Sequence, residues 1–404
     1  MDMKTKIQLF AAFLLLAVGA LWLTSCSSED AVQGSGSQAD ASLTLTINTG
    51  KVGSRATAWT TDPAGSDKTQ TENKINRLTV GIFSSDGSTV KTIVELTPGQ
   101  TGGNTLSTDG TTAKIVTTSL AANDKVLVAV NAPTGKFAGV ANATAFKAVE
   151  EDAKDALTDG SSEATEIATN VPMFGENTLS GTGSAFTAIV PVKHQLAKIT
   201  LDDLEVAFDA NGPYKEAEFT PTEFFLVNVP EKLAFNSDAW VNGASHLHGM
   251  SSTTYSSLTA ATEWGTYKEY LSSAATGSTA LKGTSDTYAS KSYFYVTPCD
   301  DASTNGKMKL IIAGTFKTNS SDGGTTVFYP VAINATYDAD GTPSAAPNGG
   351  ADVFKVYPNK NYKCKVVIKT IGTTEPTKNL DPQTATVTVT VTDFVEASQT
   401  TTFE

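Results

Sequence analysis

The chain has 404 residues, a length that at ~150 residues per domain allows two domains or three. With 40% apolar and 18% charged residues it can build packed cores and is not a disordered tail protein. Its net charge is −13, from 29 Lys and Arg against 42 Asp and Glu, and it has no basic block, which argues against nucleic acid and anionic membrane surfaces as partners. Thr occurs 61 times and Arg twice, at Arg55 and Arg77. Because β-branched Thr suits pleated surfaces, this bias points to an exported all-β protein. Three His and three Cys leave little material for a metal site or a nucleophilic dyad, so an enzyme is the weaker reading.

Residues 1–25 place Lys4 and Lys6 before an apolar run from Leu9 to Leu23. The run is about 15 residues, short of the roughly 20 that span a bilayer, and ends in small and polar residues, the pattern of a signal peptide. Leu23-Thr24-Ser25-Cys26 looks like a bacterial lipobox, with Cys26 the lipidated first residue after processing. Ser27-Ser28-Glu29-Asp30 is similar to acidic tags that send lipoproteins to the outer face of some Gram-negative outer membranes. Ala31 to Ala41 reads as a flexible tether. Leu43, Leu45 and Ile47 then alternate with Thr44 and Thr46, a short strand with one buried face. The following loop, Asn48 to Ala56, is polar and rich in small residues, where proteases cut. Arg55 stands out in it, since Arg77 falls inside an apolar-periodic stretch; an ordinary surface cation is the alternative.

Further along, Ile75 to Phe83 and Thr89 to Leu96 read as a hairpin joined by the Asp86-Gly87 turn. The continuous apolar run from Lys125 to Asn131, before Pro133, predicts a central strand. Between 144 and 157 the period changes: Phe146, Val149, Ala153, Ala156 and Leu157 share one helical face, with Glu150 and Glu151 on the solvated side. Residues 158–184 are Gly/Ser/Thr-rich, and a strand from Ala185 is interrupted at His194-Gln195 before another begins near Ala197. Strands are expected over 224–229, 293–297, 307–316, 327–335 and 361–371, with turns at Asp322-Gly323 and Asp340-Gly341. The Ser/Thr/Ala/Gly-rich stretch 237–290 reads mostly as surface loop. Two all-β domains, most simply sandwiches with one or a few short helices, meet near residue 192.

The C-terminus carries the strongest pattern. Ala385, Val387, Val389 and Val391 share one face of a strand whose other face is Thr, held on a spacer containing Pro376 and Pro382; Phe403 lies in a second extended piece. Such a strand must complete either its own sheet or another one. Its alternation matches that of Leu43, Leu45 and Ile47. If cleavage between Arg55 and Ala56 removed the first strand, the C-terminal strand of another copy would fit the groove left behind. Three such side chains contribute on the order of 5–9 kcal/mol, against an association cost of about 4–15 kcal/mol, so backbone pairing must add to them. Donor and acceptor surfaces differ, so the contact is head-to-tail and builds a filament.

The sequence at this point resembles the fimbrillin family, the major subunits of type V pili. The likeness rests on Cys26, the Arg55-Ala56 junction, Leu78 to Phe83, the Val192-Lys193-His194-Gln195-Leu196-Ala197-Lys198 junction and Asn361 to Ile368, in that order along the chain. It implies two transthyretin-like β-sandwich domains, lipoprotein export, and Arg-specific proteolysis that triggers donor-strand polymerisation. The organisation expected is a signal peptide over 1–25, a propeptide with the first strand over 26–55, sandwiches over 56–192 and 193–380, and a donor extension over 381–404. Lys193-His194-Gln195 departs from a family junction that is usually richer in Arg and Glu.

The resulting expectation is a fimbrial structural subunit, first lipid-anchored in the outer membrane and then part of an extracellular fimbrium that supports adhesion and colonisation. Cys26 is the lipidation site, Arg55 and Ala56 the cleavage site, Leu43, Leu45 and Ile47 the displaced strand, and Val387, Val389, Val391 and Phe403 the donor. Its partners are further copies of itself, anchor and tip subunits, an Arg-specific protease and, before cleavage, the membrane. No catalytic residue, metal or cofactor is called for. The alternative is a tip or anchor subunit that binds a glycan or protein, with the aromatic-bearing stretch 237–290 as its reader; a lipid-anchored glycan-processing enzyme is the remaining option. His246-Leu247-His248 makes a poor zinc site, Asp338-Ala339-Asp340-Gly341 lacks the acidic residue a calcium loop needs, and Asp300-Asp301 reads as solvated charge. Cys299 and Cys364 are either bridged or buried thiols.

Overall fold

A computed structural model of the chain describes residues 41–49, 72–153, 170–241, 245–250, 266–277, 279–300, 307–336, 353–376 and 385–393. The first half contributes β1 (Ala41–Asn48), β2 (Leu78–Phe83), β3 (Val90–Leu96), β4 (Thr105–Leu106), β5 (Thr112–Thr117), β6 (Lys125–Val130), α1 (Ala143–Lys147), β7 (Glu150–Asp152), β8 (Met173–Thr178), β9 (Ser180–Thr182), β10 (Ala185–Pro191) and β11 (Lys193–His194). They form two five-stranded sheets, ordered β4-β5-β1-β10-β9 and β11-β8-β6-β2-β3. Leu43, Leu45 and Ile47 of the first sheet pack with Leu78, Val80, Ile82, Val126, Val128 and Val130 of the second in one core. The apolar run ending at Val130 forms the middle strand of its sheet, as its composition predicts, and the chain leaves it through Asn131 at φ 60°.

The second half contributes β12 (Ala197–Val206), β13 (Glu218–Val227), β14 (Val229–Pro230), β15 (Lys232–Ala234), β16 (His246–His248), β17 (Thr266–Tyr267), β18 (Ser272–Ala274), β19 (Leu281–Lys282), β20 (Asp286–Thr287), β21 (Ser292–Val296), β22 (Lys309–Lys317), β23 (Thr325–Ala332), β24 (Lys360–Ile368) and β25 (Ala385–Asp393). One sheet runs β20-β12-β24-β25, with β21 also on β12; the other runs β18-β13-β22-β23, with β19 also on β13. β13 begins before Phe224 and carries Pro221 inside it, tolerated because the ladder with β22 is bulged between Pro221 and Glu223. The core of this half extends into the first: Phe83, Leu127 and Phe174, from the outer face of the β6 sheet, join it together with Phe137 and Phe146. Gly81 makes room for that contact, because a Cβ there would lie 2.6 Å from the Phe83 ring and 2.9 Å from that of Phe146.

Two expectations are corrected, the helix over 144–157 and the loop over 237–290. The helix expected over 144–157 stops at Lys147, after an Asn142 cap whose Oδ1 accepts from the Ala145 amide at 2.8 Å. The chain then turns into β7, because β15 offers it a partner: Glu150, Glu151 and Asp152 pair with Ala234, Leu233 and Lys232. Residues 154–157 lie outside the described ones. Consequently Glu151 is not solvated; it is buried. The polar stretch 158–184 contains β8, which pairs along the whole of β6. The region 237–290 is more than surface loop: β18 and β19 extend the β13 sheet, and Leu247, Met250, Leu271 and Leu281 are buried.

Candidate functional site

The two strands singled out by their alternation occupy different positions. β1 lies inside its sheet, parallel to β10 on one side and antiparallel to β5 on the other. Leu43 faces Phe186 and Ile115 across these ladders, and Leu45 faces Ala188 and Ala113. Leu43 and Leu45 are 0% exposed and Ile47 3%, while Thr44 and Thr46 point to solvent. Period-2 alternation against a sheet with one wet face explains the arrangement. Backbone bonds close both ends: Ser42 donates to the Ser184 carbonyl at 2.8 Å, and Val192 donates to that of Asn48 at 2.9 Å. With β1 taken away, β5 and β10 would face each other across a gap one strand wide, floored by Ala113, Ile115, Phe186, Ala188 and Val190 and closed below by the second sheet. These lining residues were not named from the sequence, although the alternation of 185–191 carries their signal.

Among the described residues β25 has one neighbour, β24, in an antiparallel ladder that sets Val387 opposite Val366, Val389 opposite Cys364 and Val391 opposite Tyr362. Val389 is buried in the core of the second half, and Thr388 and Thr390 are exposed. The C-terminal strand therefore completes its own sheet in this chain. Tyr362, Cys364 and Val366 lie buried in β24. Cys26, Arg55, Ala56 and Phe403 lie outside the described residues, as does the Asp340-Gly341 turn.

Cys299 and Cys364 are both buried in the core and are not bridged to each other, and burial pushes the Cys364 thiol up to about 12. Asp300 pairs with Lys355 at 2.7 Å, and no group of three or more His, Cys, Asp or Glu among the described residues is arranged to hold a metal ion. Asp86 caps its hairpin turn by accepting from Ser84 and Ser88, which holds its carboxyl down at about 2. At the junction of the halves a cleft of about 630 Å³ is lined by Glu176, Lys193, His194, Gln195, Tyr357 and Asn359, among others.

Residues 41–200 match the family model described as the major fimbrial subunit protein (FimA). The likeness to the fimbrillin family holds over this stretch. It covers β1 to the start of β12, and so includes the whole of the β1 slot. Among solved structures, a fimbrilin (FimA) from Porphyromonas gingivalis superposes with a TM-score of 0.56 at 19% identity, covering 89% of this chain and 99% of its own. Candidate cell adhesion proteins from Bacteroides eggerthii and Parabacteroides distasonis give TM-scores of 0.57 and 0.58 at 20% and 17% identity, each over 88% of this chain and 96% and 99% of theirs. At these identities the likeness is one of fold, and the fold is that of a fimbrilin β-sandwich protein. No curated protein matches the chain.

Proposed function

We propose that this chain is a structural subunit of a surface fimbrium, exported as a lipoprotein through Cys26 and polymerised by strand exchange after cleavage between Arg55 and Ala56. The FimA match and the fimbrilin fold support the coarser part, a fimbrial subunit at the cell surface that assembles with other fimbrial subunits. The observation that carries the finer part is the placement of β1: an interior strand, with Leu43, Leu45 and Ile47 in the core, immediately upstream of the loop that holds Arg55. Loss of that strand exposes two sheet edges and an apolar floor at once, a state that recruits a replacement. β25 has the matching alternation and, among the described residues, gives up one ladder on leaving its sheet. In this reading Val387, Val389 and Val391 fill the places of Leu43, Leu45 and Ile47, Phe403 anchors the far end, and no residue is catalytic.

The test uses the precursor from Ser27 onward, treated with an Arg-specific protease and run unheated on a denaturing gel. The expected result is a ladder of high-mass species. It disappears when residues 384–404 are deleted or when Arg55→Ala blocks the cut. Clean cleavage without a ladder would leave β25 a permanent part of its own sheet and favour the tip-subunit alternative.

A further inference from the structure

The segment 72–77, which leads into β2, is fastened at both ends, and its upstream end reaches the second half of the molecule. At its downstream end, the Asn131 side chain accepts from the Asn76 amide at 2.8 Å and donates to the Lys74 carbonyl at 2.8 Å, while Arg77 donates to the Ala132 carbonyl at 2.6 Å. All of these partners belong to the first half. At its upstream end Glu72 is 2% exposed and reaches the second half. Its Oε1 accepts from Lys198 Nζ of β12 at 3.1 Å and from the Tyr295 hydroxyl of β21. The Lys198 ammonium lies 4.4 Å from the centre of the Tyr293 ring. The Glu72 carbonyl lies 3.1 Å from His194 Nε2, and His194 Nδ1 lies 3.2 Å from Asn359 Oδ1.

We infer that Glu72 is a positioning residue: a staple that fixes residues 72–77 as a strap across the two halves, downstream of the cut and independent of β1. A buried carboxylate persists only when paired and hydrogen-bonded, and a pair of this kind specifies geometry where an apolar contact would tolerate sliding. Glu72 lies well downstream of Ala56, and none of the partners that hold it belongs to β1. Removal of β1 therefore opens its slot without passing disorder on to β2, the strand that closes the slot from below. This last consequence rests on the cleavage proposed above; the staple itself does not.

The test is hydrogen exchange on the uncleaved precursor, with no protease present, so that its outcome is independent of whether the gel ladder forms. Glu72→Gln, nearly isosteric, removes the carboxylate charge that Lys198 and Tyr295 share. Amides of residues 73–77 should then exchange at least ~10-fold faster while those of β2 and β6 keep their protection. Adding Lys198→Met, which removes the buried ammonium facing that position, should restore slow exchange; a residue that only fills space would show no such rescue. Unchanged exchange over 73–77 in Glu72→Gln would overturn the inference. So would a rise spread evenly through β2 and β6, or a double variant no slower than the single one.

Discussion

β1 and β25 are written in nearly the same alphabet, alternating apolar residues with Thr, and the fold treats them differently. β1 has a ladder on each side and its inward side chains sit in the centre of a sandwich; among the described residues β25 has one ladder, with β24. The apolar faces are similar, so the asymmetry lies in the number of backbone neighbours. A strand with two partners leaves a slot when it goes, whereas a strand with one partner leaves only a new edge. On the proposed reading, the interior strand keeps the acceptor slot closed, and the strand of matching pattern sits where fewer backbone bonds hold it.

The sharpest way to break this comparison is to delete each strand in turn. A precursor lacking residues 41–48 loses burial worth on the order of 5–9 kcal/mol, comparable with the whole stability of a domain. Its β5 and β10 amides should lose protection in hydrogen exchange unless a peptide of residues 385–393 is supplied. A precursor ending at residue 384 should keep them. A milder version uses single residues: Leu45→Ala should cost about 2–5 kcal/mol in urea unfolding, and Val389→Ala roughly 1–2 kcal/mol. Equal costs would mean that the two strands are equally embedded.

The junction between the halves adds a pH dependence. Burial depresses the His194 imidazole below its ordinary value of 6.5. Its surroundings are the Glu72 carbonyl and carboxylate, Lys198 and Asn359. The folded chain takes up a proton on this ring less readily than the unfolded chain, which does so near pH 6.5, so stability falls on acidification from that point. About 1.4 kcal/mol per pH unit is the ceiling for one proton. Urea unfolding between pH 7 and 5.5 measures the slope, and His194→Gln should flatten the profile over that window. The smallest effect is chemical. Cys364 sits opposite Val389, buried and poorly ionised, and should resist thiol reagents in the precursor. In the chain ending at residue 384 it should label at least ~10-fold faster.

Much of this was legible in the sequence, and for identifiable reasons. Leu43, Leu45 and Ile47 alternate at the strand period and are buried as that period requires. The run Val126 to Val130 is apolar at every position and becomes the middle strand of its sheet. What stayed hidden depended on distant partners. Residues 150–152 have a helical pattern, and only the edge of β15 draws them into a strand. β8, Met-Phe-Gly-Glu-Asn-Thr, is half polar and is held by β6 and not by its own composition. The Glu72 cluster joins residues 126 and 223 positions apart, and no local spacing announces such a contact.

The central claim is that the strand which replaces β1 comes from another copy. Two single-cysteine precursors test it most directly, Thr187→Cys on the exposed face of β10 and Thr388→Cys on that of β25. Neighbouring strands bring such positions within disulfide reach. Mixed and treated with an Arg-specific protease under mild oxidation, the two should form a disulfide between one protein and the other, absent before cleavage and absent in Arg55→Ala. Because Thr and Val alternate, Thr390→Cys serves as the second register to probe. Cleavage and loss of β1 with no cross-link from either donor position would contradict the account.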